Sequence, residues 1–411
     1  MIQARTPSTR LESAPTGLPP MRHRGMREHN LAVVLGEVAR RGSTSRAGIA
    51  AATGLTKSTV STLVSELVRA RLVVSEGPNR EGDRGRPSIG LRLNGDHVAG
   101  IGCDIGVARI AVGVLDLRRR TRVRLERIGS NRRSPQAVFE DLAGLITEAE
   151  RLARDQGLTV VGAAVGVPGI VNQQSAHVVA APNLGWRDID LGDHLGTLLP
   201  SAVLPVRVDN EANLAALGEL RLGAGTRHPS FMLVTGEVGI GAGLVIRSTL
   251  YSGADGYAGE LGHVVVVPEG KRCTCGGRGC LETVAGLRAL LCAAGLDEEA
   301  GLQALIDALQ RGDPAAVTAV DSAATALSVA LAAAVNLVAP GVIVLGGTFA
   351  ALEERLLPRL EQALAAQVAA LRGAAPGVTC SRLGADAAVL GGAIGVLDTV
   401  VNTPDVVMSG S

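Results

Sequence analysis

One short segment constrains the folding of this chain more than any other. It runs from His263 to Cys280 and places one histidine and three cysteines, Cys273, Cys275 and Cys280, within eighteen residues. Nitrogen and sulfur donors of this kind suit the tetrahedral preference of zinc, and the glycines between the cysteines let the backbone turn tightly enough for the thiolates to converge. The sequence therefore predicts a closed structural Zn²⁺ site. A disulfide pair or buried thiols are the alternatives.

Two carboxylates flank this segment. Glu260 lies three residues before His263, and Glu282 lies two residues after Cys280. A histidine that holds a metal through one ring nitrogen can present the other nitrogen to a ligand. We therefore expect the zinc to brace one wall of a binding site for a polyhydroxylated small molecule.

Charge divides the chain into two modules. The net charge of all 411 residues is +1, but residues 1–95 hold fifteen Lys and Arg against seven Asp and Glu, so this part carries +8 and the remainder −7. A basic module of this size indicates a polyanionic partner, and the acidic remainder does not.

Hydropathy indicates a globular protein outside the membrane. Apolar residues make up 46% of the chain, and Gly, Arg or Asp interrupts each apolar run before the roughly 18 residues needed to span a bilayer. The first twenty-one residues contain arginines and prolines but no apolar stretch, which predicts a disordered leader at 1–21. We expect a cytoplasmic location and no membrane partner.

The basic module, residues 22–95, has the pattern of a winged helix-turn-helix. Apolar residues recur at helical spacing from residue 31 to 38, Ser45 can cap a second helix over 46–52, and Thr56 can cap a third helix after a turn at Gly54. Residues 72–74 and 89–93 predict a β-hairpin with a basic tip. The module is therefore expected to bind double-stranded DNA.

The residues expected to contact DNA lie on the third helix and at the tip of the hairpin, the wing. Short hydrogen-bonding side chains around one cation suit a helix that enters a major groove, and basic residues on a wing suit a minor groove or phosphates. A solvated helix surface is the alternative for the helical set. The candidates are Lys57, Ser58, Thr59, Ser61, Thr62, Arg84 and Arg86.

Beyond residue 95, short strands and helices alternate in two similar series. The first series has predicted strands at 98–103, 110–115, 123–128 and 160–165 with a helix at 135–156. The second has strands at 231–235, 244–247, 264–267 and 342–345 with alanine-rich helices at 315–338 and 351–371. This pattern predicts an α/β fold of two halves with a cleft between them.

Several motifs, in this order, resemble the ROK family of repressors and sugar kinases. They are Val-Gly-Val-Pro-Gly at 165–169, Ala-Pro-Asn-Leu-Gly-Trp at 181–186, Glu-Leu-Gly-His at 260–263 with the cysteine segment, and Pro-Gly-Val-Ile-Val-Leu-Gly-Gly at 340–347. The resemblance spans about residues 22–400. It implies a two-lobed fold like that of actin and hexokinase (ribonuclease H-like), usually in a homodimer or a dimer of dimers.

With that fold, the small lobe is expected at 96–205, completed by a helix at about 386–401. The large lobe with the zinc site is expected at 206–385, and a disordered tail at 402–411. The resemblance also implies that the lobes close over a hexose or pentose. The positions that match the family's sugar-binding motifs are Gly169, Asn183, Asn210, Glu211, Glu260, His263 and Glu282.

The chemistry of this set suits vicinal hydroxyls, because amide and carboxylate side chains supply donors and acceptors at fixed positions. Taken singly, some of these residues have simpler interpretations. Asn183 can set a turn, and Glu260 can cap a backbone amide.

Three departures from the family's kinase pattern predict a protein that binds sugar without transferring phosphate. Val107 and Ala108 replace a close-approach glycine and a hydroxyl in the first phosphate loop, and Glu237 and Val238 replace the backbone cradle and hydroxyl of the second. Glu211 stands where related kinases place an aspartate as general base. We therefore expect no enzyme and no catalytic residue, but a repressor of sugar-metabolism genes that a sugar relieves.

Three alternatives stay open on the sequence. The chain could be an active sugar kinase with a regulatory DNA-binding domain, or a regulator controlled by a protein partner instead of a sugar. It could also be an activator whose output rises with bound sugar.

Overall fold

The computed structural model of the chain describes residues 23–78, 89–199 and 204–408. Its N-terminal domain consists of α1 (His23–Arg41), α2 (Arg46–Thr53), α3 (Lys57–Arg69), β1 (Val73–Pro78) and β2 (Ile89–Leu93). The predicted caps are confirmed: Ser45 Oγ accepts a hydrogen bond from Gly48 N at 3.1 Å, and Thr56 Oγ1 accepts one from Thr59 N at 3.2 Å. The predicted leader and the tip of the wing, with Arg84 and Arg86, lie outside the described residues.

The rest of the chain folds into two lobes. The first part contains β3 (Val98–Ile105), β4 (Arg109–Asp116), β5 (Thr121–Ile128), α4 (Pro135–Asp155), β6 (Thr159–Val167), β7 (Ile170–Asn172), β8 (His177–Ala181), β9 (Trp186–Asp190), α5 (Leu191–Leu198), β10 (Val206–Asn210) and α6 (Glu211–Leu222). The second part contains β11 (Phe231–Gly236), β12 (Ile240–Ile246), β13 (Thr249–Tyr251), α7 (Glu282–Ala285), α8 (Leu287–Ala293), α9 (Gly301–Gln310), α10 (Pro314–Val338), β14 (Val342–Gly347), α11 (Thr348–Ala351), α12 (Glu353–Arg372), β15 (Gly377–Cys380), α13 (Ala387–Asn402) and α14 (Asp405–Met408).

Each lobe is built on a five-stranded sheet, and the two sheets have the same strand order. In the first lobe, β4 and β5 add antiparallel on one side of β3, while β6 and β10 add parallel on the other. In the second lobe, β12 and β13 add antiparallel on one side of β11, while β14 and β15 add parallel on the other. The two α/β halves predicted from the sequence therefore share one topology. A small antiparallel sheet of β7, β8 and β9 is inserted into the first lobe.

Three segments differ from the expected boundaries. Strand β10 lies in the segment expected to begin the large lobe, but it pairs with β6, with Val208 opposite Val165, and completes the first sheet. Residues 264–267 form no strand, because the chain there curves around the cysteines; one bridge joins Val265 to Cys280. Within the segment expected to be a disordered tail, residues 405–408 form α14, where Asp405 binds the α1 side chain of Arg27 at 3.4 Å.

Helix α13 joins three parts of the molecule. It packs on β3, where Gly102 leaves room for the helix backbone, and it crosses α6 at Gly391, where an added Cβ would collide with the carbonyl oxygen of Leu214. Its C-terminal half contributes Ile394 and Leu397 to a core cluster that includes the apolar face of α1. The N-terminal domain is therefore packed directly on a helix of the two-lobed domain.

Two segments are apolar and long enough to span a membrane by length and composition alone: α10, and residues 384–402, which contain α13. Within the protein, 61% and 56% of their apolar windows are buried. Packing against the two lobes therefore accounts for their apolar composition.

Candidate metal centre and binding cleft

The predicted metal ligands converge. The donor atoms of His263, Cys273, Cys275 and Cys280 all lie within 4.8 Å of one another. Cys273 Sγ is 3.7 Å from His263 Nδ1, and Cys275 Sγ is 3.8 Å from Cys280 Sγ. Two thiolates at about 2.3 Å from a tetrahedral Zn²⁺ would be about 3.8 Å apart, so the cluster has the dimensions of a zinc site.

The cysteine loop owes this geometry to its backbone. Gly276 and Gly279 have φ of 95° and 70°, a region that residues with a Cβ rarely adopt. Cys273 N donates to Gly277 O at 2.9 Å, and Gly277 N donates to Cys275 Sγ at 3.4 Å. These bonds close a tight turn that holds the sulfurs on one side of the loop.

His263 connects the metal cluster to the cleft between the lobes. Its Nδ1 faces Cys273, and its Nε2 lies 3.7 Å from a carboxylate oxygen of Glu260. Burial raises the pKa of Glu260, and the nearby Glu282 raises it further, while His263 lowers it. Glu260 makes no side-chain capping hydrogen bond to the short 3₁₀ turn that it precedes.

All seven residues predicted to bind the sugar line one cavity of about 290 Å³ between the lobes. The cavity lies at the carboxyl ends of β6 and β10, the edge where ligands bind in open α/β sheets. Its lining includes Gly169, Asn183, Asn210, Glu211, Glu260, His263 and Glu282.

Asn210 positions the floor of this cavity. Its Nδ2 donates to Gly169 O at 2.8 Å, and its Oδ1 accepts from Ala212 N at 2.8 Å, so that it caps α6. Both ends of the amide are therefore used within the protein. Asn210 holds the loop after β6 and places Glu211, the first residue of α6, in the cleft.

Asn183 and Glu282 approach each other from opposite lobes above Gly239. A Cβ added to Gly239 would collide with the carboxylate of Glu282 and with Asn183 Nδ2, which would be 2.5 Å away. Glu282 also accepts a hydrogen bond from Ile240 N at 3.2 Å. A side chain at position 239 would therefore displace these two polar groups from their places at the cavity wall.

A second cavity of about 510 Å³ adjoins the first, and Glu211 lines both. The replaced loop residues Val107, Ala108, Glu237 and Val238 lie in its wall. These are the positions where the sequence predicted that phosphate binding is lost.

Arg109, which the sequence did not single out for the site, crosses this second cavity. Its Nη2 donates to Asp104 Oδ2 at 3.0 Å and to Ala385 O at 2.5 Å, just before α13. It is the first residue of β4, and Asp104 lies near the end of β3, so the β-hairpin brings the pair together. An arginine five residues after a strand-end aspartate is the signal that sequence reasoning missed.

The carboxylates of the second cavity are deeply buried. Burial raises the pKa of Asp104 to about 7, with a further rise from Glu237 and partial compensation from Arg109. Burial also raises the pKa of Glu211 well above its usual value, with additional repulsion from Glu237 and Asp104. Burial raises the pKa of Glu237, and Arg109 opposes that rise. The cavity therefore resists negative charge.

On the N-terminal domain, the helical residues predicted to contact DNA lie along α3. Lys57, Ser58, Ser61 and Thr62 are exposed, and Thr59 is partly buried beside the helix cap, where its hydroxyl lies 2.9 Å from Thr56 Oγ1. The exposed residues are available to a ligand at the N-terminal half of α3, as a recognition helix requires.

These features define a class of protein: a winged-helix domain joined to a two-lobed α/β domain with a His/Cys cluster beside its cleft. The ROK family model matches residues 100–399, and a MarR family model matches residues 32–85. The chain belongs to the ROK family and carries a MarR-like winged-helix domain.

Individual relatives extend this assignment. A putative xylose repressor from Caldicellulosiruptor sp. (strain Rt8B.4) is 30% identical over 407 residues, which cover 94% of this chain and 99% of the relative. A crystal structure of a ROK family transcriptional regulator, a homologue of the E. coli MLC protein, superposes with a TM-score of 0.79 at 25% identity, covering 94% of this chain and all of the other.

A kinase of the family is also similar over the two lobes. The ROK family glucokinase from Streptomyces griseus, solved with glucose and AMPPNP, has a TM-score of 0.62 and 30% identity, covering 72% of this chain and 98% of the other. The full-length matches are to repressors and regulators, whereas this kinase match leaves about a quarter of the chain uncovered.

Proposed function

We propose that this protein is a transcriptional repressor that binds operator DNA through its winged-helix domain and releases it when a sugar occupies the smaller cavity. The observation that carries the proposal is the convergence of seven predicted sugar-binding residues on one cavity, in a protein whose DNA-binding domain packs on the same α13 that borders the cleft. Full-length similarity to a putative xylose repressor supports a sugar as the effector.

The chemistry of the cavity suits a monosaccharide. Glu211, Glu260 and Glu282 supply carboxyl oxygens that accept hydrogen bonds from hydroxyl donors, and Asn183 supplies both a donor and an acceptor. A Zn²⁺ held by His263 and the three cysteines would fix the wall that carries His263 and Glu260. The role of that zinc is structural, because four protein ligands leave no open coordination position.

Repression follows from a shift between two arrangements of the lobes. In a homodimer or a dimer of dimers, the free protein spaces two recognition helices about one or more DNA turns apart. Sugar closes the cleft, moves α13 and the domain packed on it, and changes that spacing. A tenfold loss of operator affinity requires only about 1.4 kcal/mol of differential binding.

The proposal includes the loss of kinase activity. It also places the protein in the cytoplasm, where sugar and operator are both present. Arg109 and the buried carboxylates Asp104 and Glu237 stand in the cavity where the family's kinases would cradle phosphates. A triphosphate there would add negative charge to a buried site in which the pKa values of Asp104 and Glu237 are already raised.

A gel-shift experiment tests the proposal. Operator fragments selected by the purified protein are bound with and without D-xylose, D-glucose and N-acetyl-D-glucosamine at millimolar levels, and at least one sugar should weaken binding about tenfold. Lys57→Ala should weaken operator binding and reduce the salt slope by about one. Arg151→Ala, on the outer face of α4, should leave both unchanged.

Two outcomes would contradict this model. If no sugar changes operator affinity while a protein partner does, control belongs to that partner. If sugar strengthens binding and raises reporter output, the protein is an activator.

A further inference from the structure

We infer that the cleft selects its effector by charge: Asp104, Glu211 and Glu237 form a wall of buried carboxyl groups that admits a free sugar and rejects a sugar phosphate. This inference rests on the proposed function, because it names the ligand class of the same cavity. It assigns to Glu237, which lies outside the predicted sugar-binding set, the role of a specificity-determining residue.

The wall stands where the two cavities meet. Glu211 lines both of them, so a sugar in the smaller cavity has the larger cavity as its neighbour on that side. Asp104 Oδ1 points toward the start of α6: a Cβ added to Gly166 would lie 3.5 Å from this oxygen and 3.4 Å from Glu211 Cα. The two carboxylates therefore share one region of the first lobe.

Glu237 faces them from the second lobe. It follows β11, and a Cβ added to Gly106 in the first lobe would lie 3.5 Å from Glu237 Oε2. A substituent that leaves the sugar cavity past Glu211 would thus pass between carboxylates from both lobes.

The positive charge in the larger cavity is too small to balance the charge of a phosphate group. Among the residues that line the larger cavity, three carboxylates face one guanidinium, that of Arg109. Arg109 already binds Asp104 and Ala385 O, although its Nη1 has no partner among the described residues. A phosphate ester adds about −1.5 to −2 charges at pH 7, which Arg109 alone does not balance.

The electrostatic state of the wall supports this reading. Burial and mutual repulsion raise the pKa of Asp104 and of Glu211, so these carboxyl groups favour their protonated form and the site disfavours negative charge. A further anion, stripped of its water, would be disfavoured for the same reason. A neutral sugar instead offers hydroxyl donors to these acceptors.

Space is not the limiting factor. The larger cavity has about 510 Å³, against about 290 Å³ for the sugar cavity, and its wall is mostly apolar. A neutral substituent at the same position of the sugar therefore fits into the larger cavity, and only a charged substituent is excluded.

Titration calorimetry on the full zinc-loaded chain tests the inference. The neutral probes are D-xylose, D-glucose and N-acetyl-D-glucosamine, and the charged probes are xylose 1-phosphate, glucose 1-phosphate, glucose 6-phosphate and N-acetylglucosamine 6-phosphate. We expect each phosphate to bind at least about a hundredfold more weakly than its parent sugar. Glu237→Gln should reduce that gap, the ratio of the affinity for the parent sugar to the affinity for its phosphate, at least about tenfold, or by about 1.4 kcal/mol.

A matched control uses Glu299, an exposed carboxylate that lines a neighbouring cavity and is not part of the proposed wall. Glu299→Gln should leave the gap unchanged. Zinc content and operator binding establish that Glu237→Gln is folded, and 6-O-methyl-D-glucose, which adds bulk without charge, should bind the wild type within about tenfold of D-glucose.

The outcomes separate this inference from the proposed function. A phosphate that binds the wild type about as tightly as its parent sugar overturns charge selection but leaves sugar-controlled repression intact. An unchanged gap in Glu237→Gln, or rejection of the methyl ether, also overturns it in favour of a steric cause. If none of the neutral sugars binds or alters operator affinity, the proposed function itself fails.

Discussion

At the scale of single residues, His263 lies between the candidate metal cluster and the cleft. One ring nitrogen faces the sulfur cluster and the other faces Glu260 in the cleft. A metal bound by this cluster would fix the position of the ring, and through the ring the wall of the proposed sugar cavity.

Cys275 allows this dependence to be tested. It is exposed, whereas Cys273 and Cys280 are buried, so Cys275→Ser should remove a ligand without opening a hole in the core. Because zinc binding at such sites contributes roughly 10 kcal/mol or more, we expect zinc content to fall and the sugar-induced thermal shift to disappear. Metal analysis and thermal unfolding with and without sugar measure this.

The control is Cys292→Ser, which changes an exposed cysteine outside the cluster. It should keep one zinc per chain and the full sugar response. Full zinc content and sugar affinity in Cys275→Ser would show that the ligand set is wrongly assigned.

Asp104 predicts a dependence of stability on pH. Its pKa rises from 3.8 to about 7 in the folded protein, mainly through burial. The folded state therefore binds more protons than the unfolded state between these values, so the contribution of Asp104 is fully present below about pH 4 and is lost as the pH rises through about 7. Asp104→Asn removes this loss.

We expect the difference in unfolding free energy between Asp104→Asn and the wild type to increase, in favour of the variant, between pH 5 and pH 8. The increase should be at least about 1.4 kcal/mol, the equivalent of one pKa unit. Thermal unfolding at a series of pH values measures the difference. Asp155→Asn, at an aspartate whose side chain is 61% exposed, should follow the wild type. A difference that does not vary with pH would contradict the assigned pKa.

At the scale of elements, α13 holds the lobes and the DNA-binding domain together. Its close approach to α6 depends on Gly391, whereas Gly395, one turn later, has only an ordinary contact of 3.7 Å between an added Cβ and Leu217 Cδ1. The two glycines of one helix thus differ in what an alanine would meet.

Gly391→Ala should destabilise the protein by about 1–3 kcal/mol, because the new methyl group forces α13 and α6 apart. Gly395→Ala should be neutral or stabilising by about 0.4–1 kcal/mol, because it only restricts the unfolded chain. Thermal unfolding of the two variants compares them directly. Equal effects would mean that the α6–α13 contact is not tightly packed.

The elements also show what sequence patterns determine. Ser45 and Thr56 cap their helices as predicted, because a cap depends on neighbours within three residues. The sequence pattern did not predict β7, β8 and β9. These short strands are stabilised by antiparallel pairing with one another. It also placed a strand at 264–267, since four consecutive valines favour β structure wherever the surrounding loop permits it.

At the scale of the whole molecule, the absence of kinase activity is predicted to depend on both lobes. Glu211 belongs to the first lobe and Glu237 to the second, and Arg109 lines the same cavity. Repairing one position therefore leaves the others in place.

Neither the wild type nor Glu211→Asp should phosphorylate a sugar from ATP, because Glu237 and the Val107–Ala108 loop still oppose a triphosphate. A coupled assay with hexoses and pentoses measures turnover, with a glucokinase of the family as positive control. Turnover near the enzyme median of about 10 s⁻¹ by either protein would contradict the prediction.

The sequence by itself determined the parts that depend on local spacing. The four candidate metal donors, the capped helices of the winged helix and the altered loops could be predicted from it, since each depends on a few neighbouring residues or on a family motif. Only the tertiary structure decided which distant segments contact one another. The pairing of β10 with the first sheet, Arg109 across the cleft, and the junction of α13 with the DNA-binding domain arise from contacts between residues far apart in the chain, which leave no periodic signal in the sequence.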